Sequence, residues 1–492
     1  MLKQRRQLLV SIAVIVPTFL FFLLFLTKLH PIALFESDSW YYAYHHRHPW
    51  PIWQNWNPSR VFPEVFMPLV TSFSAYVIYP ITQDYFFSLT IGYALVVSAG
   101  VTLLMWMVFR HFRKQGSGPL ESFAITALFL ICHFLVLCSA KTDNKYMLLT
   151  DNTCTYFYYV LPNLLNCVLV LWLTDDPKLL FFFSPKYRVR KSIFAMLAYF
   201  CVFSNLWGSM ISCVYAGVAL LVCFIKAKKH TKHWFSRFLK KYVVLILLLV
   251  MWLFSLWFEF NGGRSSQIRT LQFAEALTNT LSLAKSVLST VSQPFIWLSA
   301  ILCVGGLGVT LWKRDWGEIE LALYAVITAL LVAVYLVLTC AVAAPGYITR
   351  PDTFYGLFFY AMLALLILFR QMMRHLPPIR LIVPLCLVIL ACECNTSNIT
   401  YLNSMHYNLS AEVCYSVDND ILQQLQSAIE AGKKKTVLYV PQFDTEDNYP
   451  LALYAKNRIP THLYKMGVLP RNIKVTEMIP TKDKNKVFRI KV

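Results

Sequence analysis

Charge is what this sequence has least of. Only 14% of its 492 residues are Asp, Glu, Lys or Arg, against about 25% in an ordinary soluble domain. With 57% hydrophobic residues, the chain carries too little polar surface to cover a water-soluble fold, and it needs a bilayer as solvent. Acidic residues are scarcer than basic ones, 25 against 45, leaving a formal charge of +20. In a soluble chain that excess would point to nucleic acid. Here most of the Lys and Arg lie between apolar runs, where they hold loops on the cytoplasmic side, so no nucleic-acid partner is expected.

Other absences narrow the reading further. The 13 Cys are scattered, mostly inside apolar runs. They form neither a paired C-x-x-C set nor a zinc-like spacing with His. Most of them read as small core residues. Cys138 with Cys154, and Cys394 with Cys414, are two pairs that could form disulfides on an oxidising side. No small-residue cleavage site follows the first apolar run, so that run is expected to stay as a helix rather than leave as a signal peptide. Internal repeats are absent and few charges fall inside the apolar runs. Both features weigh against a transporter, where repeats and mid-membrane charges are usual.

What is present is a long series of apolar runs. They lie near 8–26, 86–109, 120–138, 155–174, 192–206, 208–225, 242–260, 294–312, 319–343, 354–373 and 380–396. Every second connection is basic: Arg110, Arg113 and Lys114; then Lys186, Arg188, Arg190 and Lys191; then the stretch KAKKHTKHWFSRFLKK; then Lys313 and Arg314; then Arg370 and Arg374. That alternation sets the N-terminus inside. A further apolar run at 65–82 would invert every later loop if it crossed, so it is expected to lie on or dip into the outer face. The segment near 268–290 reads as a second outer amphipathic helix.

The expected architecture is therefore an all-α polytopic membrane protein of about eleven transmembrane helices with outer-face juxtamembrane helices. Residues 1–396 form the membrane domain, with a first outside loop at 28–85. Residues 397–492 turn polar and are expected to form a small extracytoplasmic α/β domain. Within it, ILQQLQSAIEAG reads as a helix ending at Gly432, TVLYV as a strand, and VFRIKV as a second strand.

Chemistry concentrates in the first outside loop. Glu36 and Asp38 stand two residues apart just after the first helix. Paired carboxylates can share acid–base work or bind a divalent cation; a solvated helix cap is the plainer alternative. Trp40, Tyr41, His45, Arg60 and Glu64 follow in the same loop, with Trp50, Trp53 and Trp56. Aromatic faces stack on sugar rings and Arg grips phosphate in a bidentate fork, although an interfacial aromatic belt needs no ligand. His45, His46 and His48 lack a carboxylate at a spacing that would complete a metal site. Two later outside loops add Arg264 and Arg269, in NGGRSSQIR, and Arg350, in PGYITR. Asp143, Lys145 and Asp151, in another outside loop, could contact substrate, with solvated loop charges the plainer reading.

An acidic pair just after the first transmembrane helix, followed by the Pro68-Leu69 helix and a second span, resembles the GT-C superfamily of membrane glycosyltransferases. The Gly- and Arg-containing loops at 261–269 and 345–350 are similar to those of bacterial members that decorate surface polysaccharides, including serotype-converting glucosyltransferases. The resemblance implies a sugar donor linked to polyprenyl phosphate and a cell-surface or lipid-linked glycan as acceptor. It implies catalysis by Asp38 and Glu36 and donor or substrate contacts from Arg60, Arg264, Arg269, Arg350, Trp40, Tyr41, His45 and Glu64. Mg2+ or Mn2+ would sit on Glu36 and Asp38 if a metal is used. Many bacterial relatives have adjacent Asp-Asp where this chain has Glu-x-Asp. A bacterial cytoplasmic membrane is the expected location. Asn395, Asn398 and Asn408 begin N-glycosylation patterns that would matter only in a eukaryotic lumen. Competing readings are a transporter or flippase for lipid-linked saccharides, a polysaccharide polymerase or ligase, and a subunit without an active site.

Overall fold

The computed structural model describes residues 2–52, 56–138, 146–150, 152–180, 188–227, 233–262, 273–396 and 409–491. The chain is a bundle of helices followed by a small C-terminal unit. Among the described residues, nine helices are long and apolar enough to cross a membrane. They are α1 (Val10–Leu29), α3 (Val61–Thr82), α4 (Tyr85–Lys114), α6 (Thr153–Asp175), α8 (Leu206–Ile225), α10 (Val243–Phe260), α12 (Gln293–Trp312), α13 (Trp316–Ala343) and α14 (Pro351–His375). Between them lie α2 (Ser37–Tyr42), α5 (Pro119–Leu135), α7 (Arg188–Val202), α9 (Trp234–Lys241) and α11 (Phe273–Ser289). The last helix of the bundle is α15 (Pro377–Thr396).

All eleven apolar runs expected to span are helical. Eight of them are among the nine above, α3 being the ninth. Of the other three, α5 and α15 hold shorter apolar stretches, Pro119–Leu135 and Ile382–Cys392, and α7 is a helix of 15 residues. The amphipathic segment expected near 268–290 is α11.

Burial sorts the helices. The apolar windows of α6 and α14 are 78% buried, whereas those of α10 and α12 are 22% buried. Apolar side chains left uncovered over most of a long helix need lipid rather than water around them. The chain is thus an integral multi-pass membrane protein, with α6 and α14 central and α10 and α12 peripheral.

Polar bonds distinguish the two ends of the bundle. At one end His111 Nδ1 of α4 meets Asp175 Oδ1 of α6 at 2.7 Å, and Lys114 Nζ donates to the Asp175 carbonyl at 2.9 Å. Arg190 of α7 pairs with Asp176 at 2.6 Å. Arg370 of α14 binds Glu318 of α13 and the side chain of Gln115, and Lys226 binds Glu320. These are the connections that the sequence marks as basic. The opposite end carries the loops with Glu36, Arg60 and Arg350.

Helix α3 joins that opposite end at both of its own ends. Phe62 N donates to the Phe203 carbonyl, just past the C-terminus of α7, at 3.0 Å. Tyr158, near the start of α6, donates to Glu64 at 3.0 Å. At the other end Gln83 takes a left-handed conformation (φ 58°) and the chain turns straight into α4. Between, Thr71 Oγ1 and Tyr93 OH are 2.8 Å apart. The start of helix α3 therefore lies by the end of α7 and its second half packs against α4, over a length that could cross a bilayer.

The C-terminal unit consists of α16 (Ala411–Glu430), β1 (Lys435–Pro441), α17 (Arg458–Lys465), β2 (Lys474–Thr481) and α18 (Lys482–Phe488). The two strands pair in parallel, Lys435 opposite Lys474. Ile421, Leu425, Leu438, Val440, Ile459, Leu463 and Val475 are its buried core. The expected second strand at VFRIKV is not formed; the strand is β2, earlier in the chain. Thr481 caps the next turn, accepting from Lys484 N at 3.3 Å, and Asn485 bonds Gln442 N and O at 2.7 Å each. Those bonds fold the segment into α18. Cys138 and Cys154 are both buried but not disulfide-bonded to each other. The side chain of Cys394, residues Asp143, Lys145 and Asp151, and the glycosylation patterns at Asn395, Asn398 and Asn408 lie outside the described side chains.

Candidate active site

Glu36 precedes α2 in an extended conformation, and a single helical turn then sets the neighbouring side chains apart. Ser37 and Ser39 are fully buried. Ser37 N and Oγ both donate to the Pro450 carbonyl, at 2.9 and 2.8 Å, and Ala452 N donates back to Ser37 Oγ at 2.6 Å. Ser39 Oγ donates to Asn152 Oδ1 at 2.7 Å. Asp38, between the two serines, is left on the open side with its side chain 47% exposed. The turn is thus pinned from two directions, by Asn152 and Cys154 on one side and by the C-terminal unit on the other.

The two carboxylates have different surroundings. Glu36 is buried, and the Tyr449 hydroxyl donates to its Oε2 at 2.7 Å. Asn152 Nδ2 donates to the same hydroxyl at 3.2 Å. Burial and the nearby Glu36 carboxylate push the Tyr449 phenol well above its ordinary value, which keeps it a donor. Asp38 accepts from Tyr454 OH at 3.1 Å, with Arg458 Nη1 at 3.9 Å. Burial and Asp38 likewise raise the Tyr454 phenol.

Asp38 faces a cavity of about 730 Å3. Tyr42, Arg60, Asn152, Tyr158, Tyr159, Trp207, Glu259, Tyr347, Arg350 and Tyr449 also line it. They come from α2, from the ends of α6, α8 and α10, from the loops before α3, α6 and α14, and, for Tyr449, from the C-terminal unit. Pockets of this size hold ligands of several hundred daltons. Arg350 stands over the Tyr159 ring at 4.6 Å and the Tyr347 ring at 5.3 Å. It grips Asp352 through Nε at 3.1 Å and Nη2 at 2.5 Å. Burial works against its charge, but the ion pair with Asp352 outweighs burial and raises its pKa. Trp207 stacks on Tyr347 at 4.9 Å. Arg60 lies 4.0 Å from Glu259, whose other oxygen accepts from Ser59 at 2.6 Å. The cavity combines cations, carboxylates and aromatic faces, the surface that phosphate and sugar hydroxyls require.

The structure gathers some of the sequence candidates and disperses others. Asp38, Arg60 and Arg350 meet in one cavity, although 22 and then 290 positions separate them along the chain. Glu36 is linked to it through Tyr449. Glu64 is buried, paired with Arg47 and bonded to Tyr158, so it braces a lining residue instead of lining the cavity. Trp40 is a packing residue: its indole donates to the Phe35 carbonyl at 3.0 Å and its ring meets Phe86 and His462. Tyr41 and His45 stack on each other at 4.6 Å and face the C-terminal unit, away from the cavity. Burial and Arg47 lower the His45 imidazole. Arg264 and Arg269 lie outside the described residues. Sequence reasoning passed over Asn152, Tyr449, Tyr454 and Arg458, because nothing local marks a residue more than 100 or more than 400 positions away as a neighbour of the acidic pair.

A divalent cation finds a poor protein site here. Among the described residues no three His, Cys, Asp or Glu side chains cluster as metal ligands. Glu36 and Asp38 each already accept from a tyrosine, and Asn152 Oδ1 is taken by Ser39 and the Cys154 amide.

Fold and site define a helical multi-pass membrane protein with a polar, aromatic-lined cavity at one end of its bundle. No protein family, curated protein or solved structure matches the chain.

Proposed function

We propose that this protein is a membrane glycosyltransferase of the GT-C type. It moves a sugar from a polyprenyl-phosphate carrier to a hydroxyl of a cell-surface or lipid-linked glycan. The observation that carries the reading is the meeting of Asp38, Arg60 and Arg350 in one cavity at the less basic end of the bundle. By the positive-inside rule that end faces outward, with the N-terminus inside and the C-terminal unit outside. A bacterial cytoplasmic membrane fits this arrangement.

In this mechanism the donor enters with its phosphate toward Arg350 and Arg60 and its sugar over the tyrosine and tryptophan faces. An acceptor oxygen attacks the anomeric carbon, and the bond from that carbon to the phosphate oxygen breaks with its electron pair. Asp38 takes the proton of the attacking hydroxyl. The phosphate leaves with an added negative charge, which the two guanidinium groups stabilise. Glu36 accepts a hydrogen bond from Tyr449 and stands at the start of the turn that carries Asp38. No step is routed through Mg2+ or Mn2+.

Transfer of labelled sugar from polyprenyl-phosphate donors by purified protein in lipid tests the proposal, with Asp38→Asn beside wild type. Removing a general base costs about 100- to 10,000-fold in rate, and a loss of that size with unfolding behaviour intact is expected. Full activity of Asp38→Asn would remove it from the mechanism. Passage of the intact lipid-linked saccharide across the bilayer without transfer would replace the enzyme with a carrier.

A further inference from the structure

The cavity accounts for one side of Asp38. The other side belongs to the C-terminal unit. There, aromatic and cationic groups are layered: the His45 ring stacks on Tyr41 with centroids 4.6 Å apart, the Arg458 guanidinium lies 4.6 Å from the Tyr41 ring, and the Tyr454 ring follows 4.7 Å beyond Arg458. The stack runs from the first loop into the C-terminal unit, and both of its C-terminal members reach Asp38. A guanidinium sandwiched between two rings is held in place by cation–π attraction. The Tyr454 hydroxyl can then donate to the carboxylate from a fixed position. Without these contacts an aspartate with 47% of its side chain exposed has several rotamers open to it. Meanwhile Tyr449, from the same unit, lines the cavity and donates to Glu36.

We propose that the C-terminal unit is a working part of the catalytic site: Tyr454 and Arg458 are positioning residues that aim the Asp38 carboxylate into the cavity, and Tyr449 ties the buried Glu36 to the cavity wall. This rests on the glycosyltransferase reading above. A general base must stand within hydrogen-bond reach of the proton it takes, and a displacement of about 1 Å can cost about 100-fold in rate. The stacked arrangement supplies that constraint, and it does so with groups that do not touch the reacting atoms.

The test uses the full chain in lipid vesicles, polyprenyl-phosphate-[14C]glucose as donor and total membrane glycolipid as acceptor. Wild type, Asp38→Asn, Tyr454→Phe and Arg458→Ala are compared, with thermal unfolding recorded for each. Tyr454→Phe keeps the ring over Arg458 and removes only the hydroxyl, so it remains informative even if Arg458→Ala fails to fold. The expected result is a fall in kcat of about tenfold for Tyr454→Phe, from loss of a hydrogen bond to a charged group. KM for the donor stays within about twofold, because the contacts to Arg60 and Arg350 are untouched. Arg458→Ala falls further, and Arg458→Lys regains part of the loss. Wild-type kcat in both Tyr454→Phe and Arg458→Ala, beside an inactive Asp38→Asn, overturns the positioning role alone. An inactive wild type, or a fully active Asp38→Asn, removes the transferase reading and this inference with it.

Discussion

Arg350 offers a way to separate stability from chemistry at one position. It grips the buried carboxylate of Asp352 with two bonds, at 3.1 and 2.5 Å, and that carboxylate is 1% exposed. Asp352 sits in the first turn of α14, where the helix dipole also favours its charge. Arg350→Ala removes the partner and leaves an uncompensated buried charge, which costs about 3–5 kcal/mol in fully buried pairs. Arg350 is itself 32% exposed, so water can reach part of the site, and about 2–4 kcal/mol is a fairer expectation. Adding Asp352→Asn removes the stranded charge, and the double variant should regain most of that stability. On the transferase reading it should not regain transfer, since the cation proposed to face the donor phosphate is still missing. The assays are urea unfolding of protein in lipid nanodiscs and sugar transfer on the same samples. If Arg350→Ala and the double variant were equally destabilised, the ion pair would not be what holds Arg350. If the double variant transferred sugar at the wild-type rate, the leaving-group role of Arg350 would be refuted.

Two further outcomes follow from burial and packing. Burial pushes the His462 imidazole down to about 3, while the unfolded residue titrates near 6.5. Between those values the unfolded chain binds the proton and the folded one does not, so this term of stability is complete above about pH 6.5 and is lost as pH falls toward 3. Buried Asp418, whose carboxyl is raised by burial, acts with the opposite sign, losing stability as pH rises above its unfolded value. Hydrogen exchange in α17, corrected for intrinsic rates, should therefore speed up from pH 7 to pH 4 in wild type and less so in His462→Gln; equal responses would discount His462. Gly92 is a packing position: a Cβ there would run into Ser74 Oγ and stand 3.2 Å from Ser74 Cβ. Overpacking of about 1–3 kcal/mol should exceed the gain of up to about 1 kcal/mol from replacing a helical glycine. Gly92→Ala should lower the unfolding midpoint, and Ser74→Ala added to it should recover part of the loss. A more stable Gly92→Ala would mean that α3 does not press on α4 as described.

The helices were legible because a bilayer-spanning segment writes itself into composition. Some 20 apolar residues in a row have few other solutions, and all eleven expected runs are helical. The alternation of basic connections was equally plain, and it reappears as the end of the bundle where Arg190, Lys226 and Arg370 find their carboxylates. Strand assignment failed at VFRIKV because a cap at Thr481 and the Asn485 bonds to Gln442 outweighed local propensity. Trp40 and Tyr41 read like sugar-stacking rings, yet one is packed against Phe86 and the other is engaged by His45 and Arg458. An aromatic side chain carries the same signature in either role.

Sequence alone therefore determined that this chain belongs in a membrane, where most of its helices run, and that Glu36 and Asp38 stand at the end of the first of them. Those properties are local: hydropathy, charge alternation and spacing along the chain. Tertiary structure alone decided that Asp38, Arg60 and Arg350 share one cavity, that Glu64 braces it from behind, and that Tyr449, Tyr454 and Arg458 come from the far end of the chain to hold the acidic pair. A cavity is made by surfaces of several helix ends at once, and the distance between two such ends in space bears no relation to their distance in sequence.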